Sequence, residues 1–279
     1  KLHYQRRKLA NYIALGVSVG SAVFGIVFLF WILKDVFTFG FAAINLDFFT
    51  QVPAPPGEAG GGMANAILGT LTITVLATAF GVPAGILAGT YLSEYGRKSK
   101  TAFVVRFVSD ILVSAPSIVI GVFVYAIMVK PFGGFSALAG AVALAIIMLP
   151  VVVRTAEEML KLVPDATREA ALALGAPHWK VTVSVVYRGA LRGIVTGIML
   201  AVARVSGETA PLLFTSFNNS FWNFNLTEPT ATLTVTIFNY AMGPYEDWHQ
   251  MAWGAALLIT AMVLLVTIIS RIIVRGRAG

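Results

Sequence analysis

The sequence predicts an all-α, multi-pass membrane protein, and three observations carry that prediction. Hydrophobic residues make up 57% of the 279 positions and charged residues only 12%, about half the charged share of a soluble domain. Six apolar runs each reach the roughly 20 residues that a helix needs to cross about 30 Å of hydrocarbon. Lys and Arg, finally, crowd alternate connections between those runs, the asymmetry that keeps such loops in the cytoplasm.

The runs are Tyr12–Leu33, Ala66–Leu92, Phe103–Val129, Phe135–Val153, Gly193–Thr215 and Trp248–Ile269. The first is long and lacks a small-residue cleavage site, so it reads as an anchoring span and not a removable signal. In the second, Gly81, Gly85 and Gly89 recur every four residues around Pro83, a spacing that lets helix backbones approach closely in lipid. The third carries Arg106 and Asp110 at i,i+4 near its inward end, where long side chains reach water; the spacing predicts a structural ion pair. Further along, Ser114-Ala115-Pro116-Ser117 sets hydroxyls beside a proline that frees a backbone carbonyl. A kink is expected there, compatible with a broken helix lining a cavity.

The fifth run repeats the small-residue stripe at Gly193, Gly197 and Ala201, then places Arg204 and Glu208 one turn apart on what reads as a continuous helix to Thr215. An Arg at the bilayer centre costs roughly 2.5–3.5 kcal/mol on insertion scales, so such charges face protein or water. Arg204 and Glu208, with Ser206 and Thr209 between and beside them, are therefore candidate pathway residues for an anion. Arg before Glu is the weaker i,i+4 order, which favours a partner across an interface.

Sixteen of the 20 Lys and Arg fall on one side. They are Lys1, Arg6, Arg7 and Lys8; Arg97, Lys98 and Lys100; Arg154, Lys161, Arg168, Lys180, Arg188 and Arg192; and Arg271, Arg275 and Arg277. Only Lys34 and Lys130 lie opposite, so both termini are expected in the cytoplasm. The organisation is then a tail over 1–11, a membrane unit over 12–270 with a long inward loop over 154–192, and a tail over 271–279. The net charge of +7 is distributed by this topology and not gathered on one soluble face, which argues against nucleic-acid binding.

With no Cys, disulfides and thiolate metal sites are excluded. His3, His178 and His249 have no second ligand at metal spacing. No phosphate-loop motif occurs, so ATP is not bound and hydrolysed by that route. A channel filter and a His-Glu-x-x-His constellation are equally absent. The first outward connection, 34–62, holds Pro53, Pro55, Pro56 and Gly60-Gly61-Gly62 and is irregular; its Phe37, Phe39, Phe41, Phe48 and Phe49 are expected along the interface. The stretch Ser216–Asp247 has no Lys or Arg but is rich in Asn and aromatics, as suits the outer interface.

Within the inward loop, Pro164-Asp165 starts and Gly175 with Pro177 stops a helix of about ten residues. Such a helix is marginal alone, so either its own spans or a partner's groove must hold it. Ala166, Ala170, Ala171 and Leu174 form a slim apolar face with Arg168 and Glu169 at the side.

Glu169-Ala170-Ala171 and Gly175 resemble the EAA loop of ABC-importer permeases, although Val185-Val186-Tyr187-Arg188 departs from that family's usual Leu-Pro ending. The run Ala203-Arg204-Val205-Ser206-Gly207-Glu208-Thr209-Ala210-Pro211-Leu212-Leu213-Phe214-Thr215, with Thr234-Val235-Thr236-Ile237-Phe238, is similar to the phosphate permeases among them. The resemblance spans about 154–270 and implies a type I, MetI-like fold in the bacterial inner membrane. It further implies a paralogous permease (PstC), an ATPase dimer (PstB) that binds ATP and Mg, an extracytoplasmic phosphate-binding protein (PstS), and a coupling helix at Arg168, Glu169, Ala170, Ala171, Leu174 and Gly175. Phosphate keeps an acidic O–H that Glu208 can accept, whereas sulfate does not; a permease for sulfate, molybdate or a phosphonate is the alternative.

Overall fold

A computed structural model describes residues 2–58, 60–96 and 99–275. Lys1, Arg97, Lys98 and Arg277, counted above among the inward charges, lie outside the described residues, as does the end of the 271–279 tail. The described chain is helical: α1 (Leu2–Ala43), α2 (Leu46–Thr50), α3 (Ala64–Thr90), α4 (Lys100–Ser114), α5 (Ser117–Val124), α6 (Lys130–Phe132), α7 (Ala137–Lys161), α8 (Asp165–Ala173), α9 (His178–Val181), α10 (Tyr187–Val205), α11 (Ala210–Leu213), α12 (Leu233–Ala241) and α13 (Glu246–Arg275). Wide π-turns extend α3 over Tyr91–Tyr95, join α5 to α6 over Tyr125–Val129, and join α9 to α10 over Thr182–Val186.

Five stretches are long and apolar enough to cross a membrane, and α4 with α5–α6, bent by 106° at their junction, supply a sixth. The centre is α7, enclosed by α3, α4 and α10. Both small-residue stripes place their backbones against it. A Cβ on Gly81 would lie 3.2 Å from Ala145 O, one on Gly85 2.7 Å from Val152 Cβ, and one on Gly89 2.6 Å from Ala156 Cβ. Gly193 meets Met159 and Gly197 meets Thr155 on the other flank. With no hydrophobic force between helices in lipid, van der Waals contact at this range is what holds them.

Several boundaries differ from the sequence reading, each for a local reason. α1 runs on from Leu2 to Ala43, absorbing the described part of the 1–11 segment and the Phe37–Phe41 stretch, because nothing between them breaks a helix. It leans on α13 near its outer end, where Val36, Gly40 and Ala43 are buried. Phe48, expected at the interface, is fully buried beside Met63, Ala252 and Ala255. Asn45 caps α2 by accepting from Phe48 N (2.8 Å), turning that ring inward; burial contributes about 2–3 kcal/mol.

The 154–192 loop is mostly helix ends: α7 continues to Lys161, α9 begins at His178, and the connection proper is 162–177. The fifth span is displaced accordingly. Its continuous helix is His178–Val205, which ends ten residues before the end expected at Thr215.

Candidate functional site

α10 stops at Val205, where Ser206-Gly207-Glu208-Thr209 interrupts the apolar run before Ala210. Ser206 Oγ donates back to Val202 O (2.8 Å), Gly207 follows, and Pro211 in the first turn of α11 lacks an N–H to continue a ladder. Depth follows from register. Gly193 faces Met159 and Gly197 faces Thr155, so the antiparallel pairing sets Arg204 level with about Met148, near the middle of the 25-residue α7. The helix thus ends level with the middle of α7, and its last carbonyls and negative dipole end lie at that level.

Arg204, in that last turn, is exposed on an open face of α10 shared with Arg192 and Leu200. The expected i,i+4 geometry with Glu208 is absent, because the helix ends between the two residues. Neither side chain forms an ion pair or hydrogen bond among the described residues. Glu208 is half-buried in the link Ser206–Thr209, Ser206 is buried and Thr209 half-buried. What fixes the link is Thr234, whose Oγ1 donates to Glu208 O at 2.8 Å. Thr234 belongs to a run in which Thr230, Thr232, Thr234 and Thr236 are all buried.

The second break parts α4 from α5 at Ala115-Pro116. It is sharper than a proline kink, with the two segments 106° apart. Ser114 Oγ donates to Asp110 O (2.7 Å), and Ser117 opens α5, half-buried. The predicted Arg106–Asp110 pair does not form. Arg106 instead donates through Nε to Glu157 Oε1 (2.8 Å), which Lys161 also contacts at 2.6 Å, while Asp110 pairs with Arg154. Packing of α4 on α7 offers each group an opposite charge on the facing helix, a better geometry than Arg before Asp on one helix. These residues line a 240 Å³ cavity at the inward end, so Arg106 and Asp110 sit apart from Arg204 and Glu208.

At the inward connection, α8 is nine residues long and ends in a Schellman turn: Gly175 N donates to Leu172 O (2.9 Å) and Ala176 N to Ala171 O (3.3 Å). Gly175 has φ +81°, where a side chain is strained. Arg168, expected at the side of α8 for a partner, is buried and fully engaged. Its Nε and Nη2 grip Glu94 Oε2 and Oε1 at 3.0 and 2.9 Å. Nη1 donates to Val163 O and to Asp165 Oδ1 (3.2 Å), and Nη2 also to Leu160 O (2.7 Å). All five guanidinium donors are used, and the hydrogen bonds to Glu94 raise the Arg168 pKa further above its usual value.

α8 is therefore held by its own spans. Ala171 and Leu172 pack inward on Val163, Val181 and Val186, so Ala171 leaves the outward face assigned to it. Glu169, Ala170 and Leu174 remain outward, Leu174 being 89% exposed. Sequence reading missed Glu94 and Glu157, and it named Thr234 only as part of the resemblance run, without a role. Glu94 is the acid nearest the inward end of the second run, a position that asks for a cationic partner. Among the described residues no three His, Asp or Glu side chains gather as a metal site requires.

Comparison with known proteins decides the family. Residues 81–278 match the binding-protein-dependent transport system inner membrane components. The phosphate transport system permease protein PstA of Yersinia pestis is 52% identical over 96% of this chain and 90% of its own length. PstA 1 of Mycobacterium tuberculosis is 37% identical over 96% and 90%. The chain belongs to the PstA permease family. Solved structures agree on the fold: a chain of the inward-facing MetNI methionine ABC transporter superposes with a TM-score of 0.65 at 21% identity, over 77% of this permease and 95% of that chain. A chain of a bacterial alginate ABC transporter gives 0.68 at 14% identity, over 95% and 94%. The expected multi-pass, all-α permease fold is borne out.

Proposed function

We propose that this permease is the membrane subunit of an ATP-driven importer of inorganic phosphate and that the interrupted end of α10 is its half of the translocation pathway. One observation carries the reading: Arg204 stands level with the middle of α7, and its side chain has no partner among the described residues. A charge kept at that depth without a structural bond is explained by a ligand or by water. The names of the relatives supply the ligand class, since they are phosphate permeases at up to 52% identity.

Arg204 offers an oxyanion a rigid fork of donors that never loses its charge. Glu208 accepts the proton that phosphate retains and repels an oxyanion that has none. Ser206 and Thr209 flank that contact, and Ser114 and Ser117 at the second break line the same route, with Arg106 and Asp110 near its inward mouth. A paralogous permease of the PstC type would supply the facing half. Glu169, Ala170, Leu174 and the turn at Gly175 would dock a PstB-type ATPase dimer, where ATP and Mg are bound and hydrolysed, and the outward connections would receive a PstS-type binding protein. Both termini then lie in the cytoplasm of a bacterial inner membrane.

The test is phosphate uptake by the assembled complex in the presence of excess sulfate, with Glu208→Gln beside the unmodified chain. Uptake resistant to sulfate in the unmodified chain and sensitive to it in Glu208→Gln supports the reading. Equal discrimination by both removes Glu208 from selectivity, and absence of phosphate uptake by the unmodified complex contradicts the proposed substrate.

A further inference from the structure

The π-turn Tyr91–Tyr95 and the residue just before it are bonded to three separate elements. Within it, Gly96 N reaches back five residues to Tyr91 O (2.7 Å), passing over the carbonyl it would take in an α-helix. That carbonyl, Leu92 O, accepts from Arg106 Nη2 of α4 at 3.2 Å. Two residues on, Glu94 holds both arms of Arg168 of α8. One residue before the turn, Thr90 Oγ1 donates to Ile86 O (2.7 Å) and lies 2.5 Å from Tyr187 Oη. Thr90 has spent its proton, so Tyr187 is the donor, and Tyr187 is the first residue of α10. Leu92 and Ser93 are themselves fully buried.

We propose that this turn is a mechanical relay: it receives the movement of α8 through Glu94 and passes it to α4 through Leu92 O and to α10 through Thr90. π-turns are wider and less well bonded than α-helix and recur at functional positions, so a segment of this kind yields before the helices on either side do. Arg168 makes the input stiff, since one guanidinium clamps the turn, the end of α7 at Leu160 and Val163, and the start of α8. The outputs run to the two elements that end in breaks. α4 stops at Ala115-Pro116, and α10 stops at Ser206 beside Arg204. A shift of the turn therefore moves both broken segments together while α7, the most buried of the candidate spans, stays still. Glu94, Arg106, Thr90 and Tyr187 are positioning residues in this scheme and touch no substrate.

The relay rests on the reading that α8 docks an ATPase, and the test separates the two. The chain has no Cys, so a Leu200→Cys substitution on the open face of α10, where Leu200 is 46% exposed, gives one thiol whose labelling is read from the mass of this subunit. In the complex assembled with its ATPase, the labelling rate is measured with and without a non-hydrolysable ATP analogue. We expect the rate to change by about tenfold in the Leu200→Cys background and by less than about twofold once Glu94→Gln is added, with the ATPase still co-purifying. Tyr187→Phe, which removes a single hydroxyl, is expected to weaken the response while leaving α8 anchored, and it decides the matter if Glu94→Gln does not assemble. A full response in either assembled variant overturns the relay. No response in the Leu200→Cys background alone overturns the docking reading on which the relay stands.

Discussion

Two arginines of this permease, Arg204 and Arg168, occupy opposite extremes of bonding, and the contrast separates what the chain uses to fold from what it keeps for a ligand. Arg168, in the connection between α7 and α9, has every donor committed to Glu94, Asp165 and two carbonyls. Arg204, level with the middle of α7, has no ion pair or hydrogen bond from its side chain among the described residues. On cost alone the reverse is expected, since an unbonded charge is far dearer in hydrocarbon than near water. The inversion teaches that the fold does not need Arg204. Its cost is offset elsewhere, by a cavity, a partner subunit or the anion itself.

The largest effect that would break the comparison is on transport. Arg204→Gln should leave membrane insertion and co-purification of partners unchanged, yet lower phosphate uptake by roughly 100-fold, equivalent to about 3 kcal/mol. Arg168→Gln should do the opposite in kind. It removes the two-armed cationic partner of the buried Glu94 carboxylate and the bonds that tie α8 to Leu160 and Val163, so the 162–177 connection should be cut by protease sooner than in the unmodified chain. A smaller effect is expected at the end of α8. Gly175→Ala meets no neighbouring atom but must hold φ near +81°, costing about 1 kcal/mol; it should raise hydrogen exchange at Ala176 and little else. The smallest is at Asp110, whose pair with Arg154 is half-exposed. Asp110→Asn should change thermal stability by less than about 1 kcal/mol, sharpening the distinction between ion pairs that anchor and those that merely coexist.

How much of this was legible in the chain depends on the range over which each feature is decided. Gly81, Gly85 and Gly89 could be read directly because one helix face and a period of four suffice, and the structure sets each against α7. Pro164 and Gly175 likewise bound α8 by local rules of capping. The end of α10 was not legible in the same way. The run Gly193–Thr215 read as one span interrupted only by Arg204 and Glu208, and the stop depends on a serine bonding its own helix, a glycine and a proline acting together. The partners of Arg106, Asp110 and Arg168 lie 51, 44 and 74 residues away, and no spacing rule reaches so far. Local i,i+4 logic therefore predicted a pair that the packing of α4 on α7 replaced. Phe48 was assigned to the interface by company with exposed phenylalanines, when one cap at Asn45 turned it inward.

The central claim, that the end of α10 opens onto water in mid-membrane, is tested most directly by replacing Arg204 with Cys in this Cys-free chain. The assembled complex is then exposed to a membrane-impermeant, charged thiol reagent. The account predicts modification of that single thiol from an aqueous side, with protection by added phosphate. A thiol that reacts only with lipid-soluble reagents, and that phosphate does not shield, would place residue 204 against lipid and contradict the pathway drawn here.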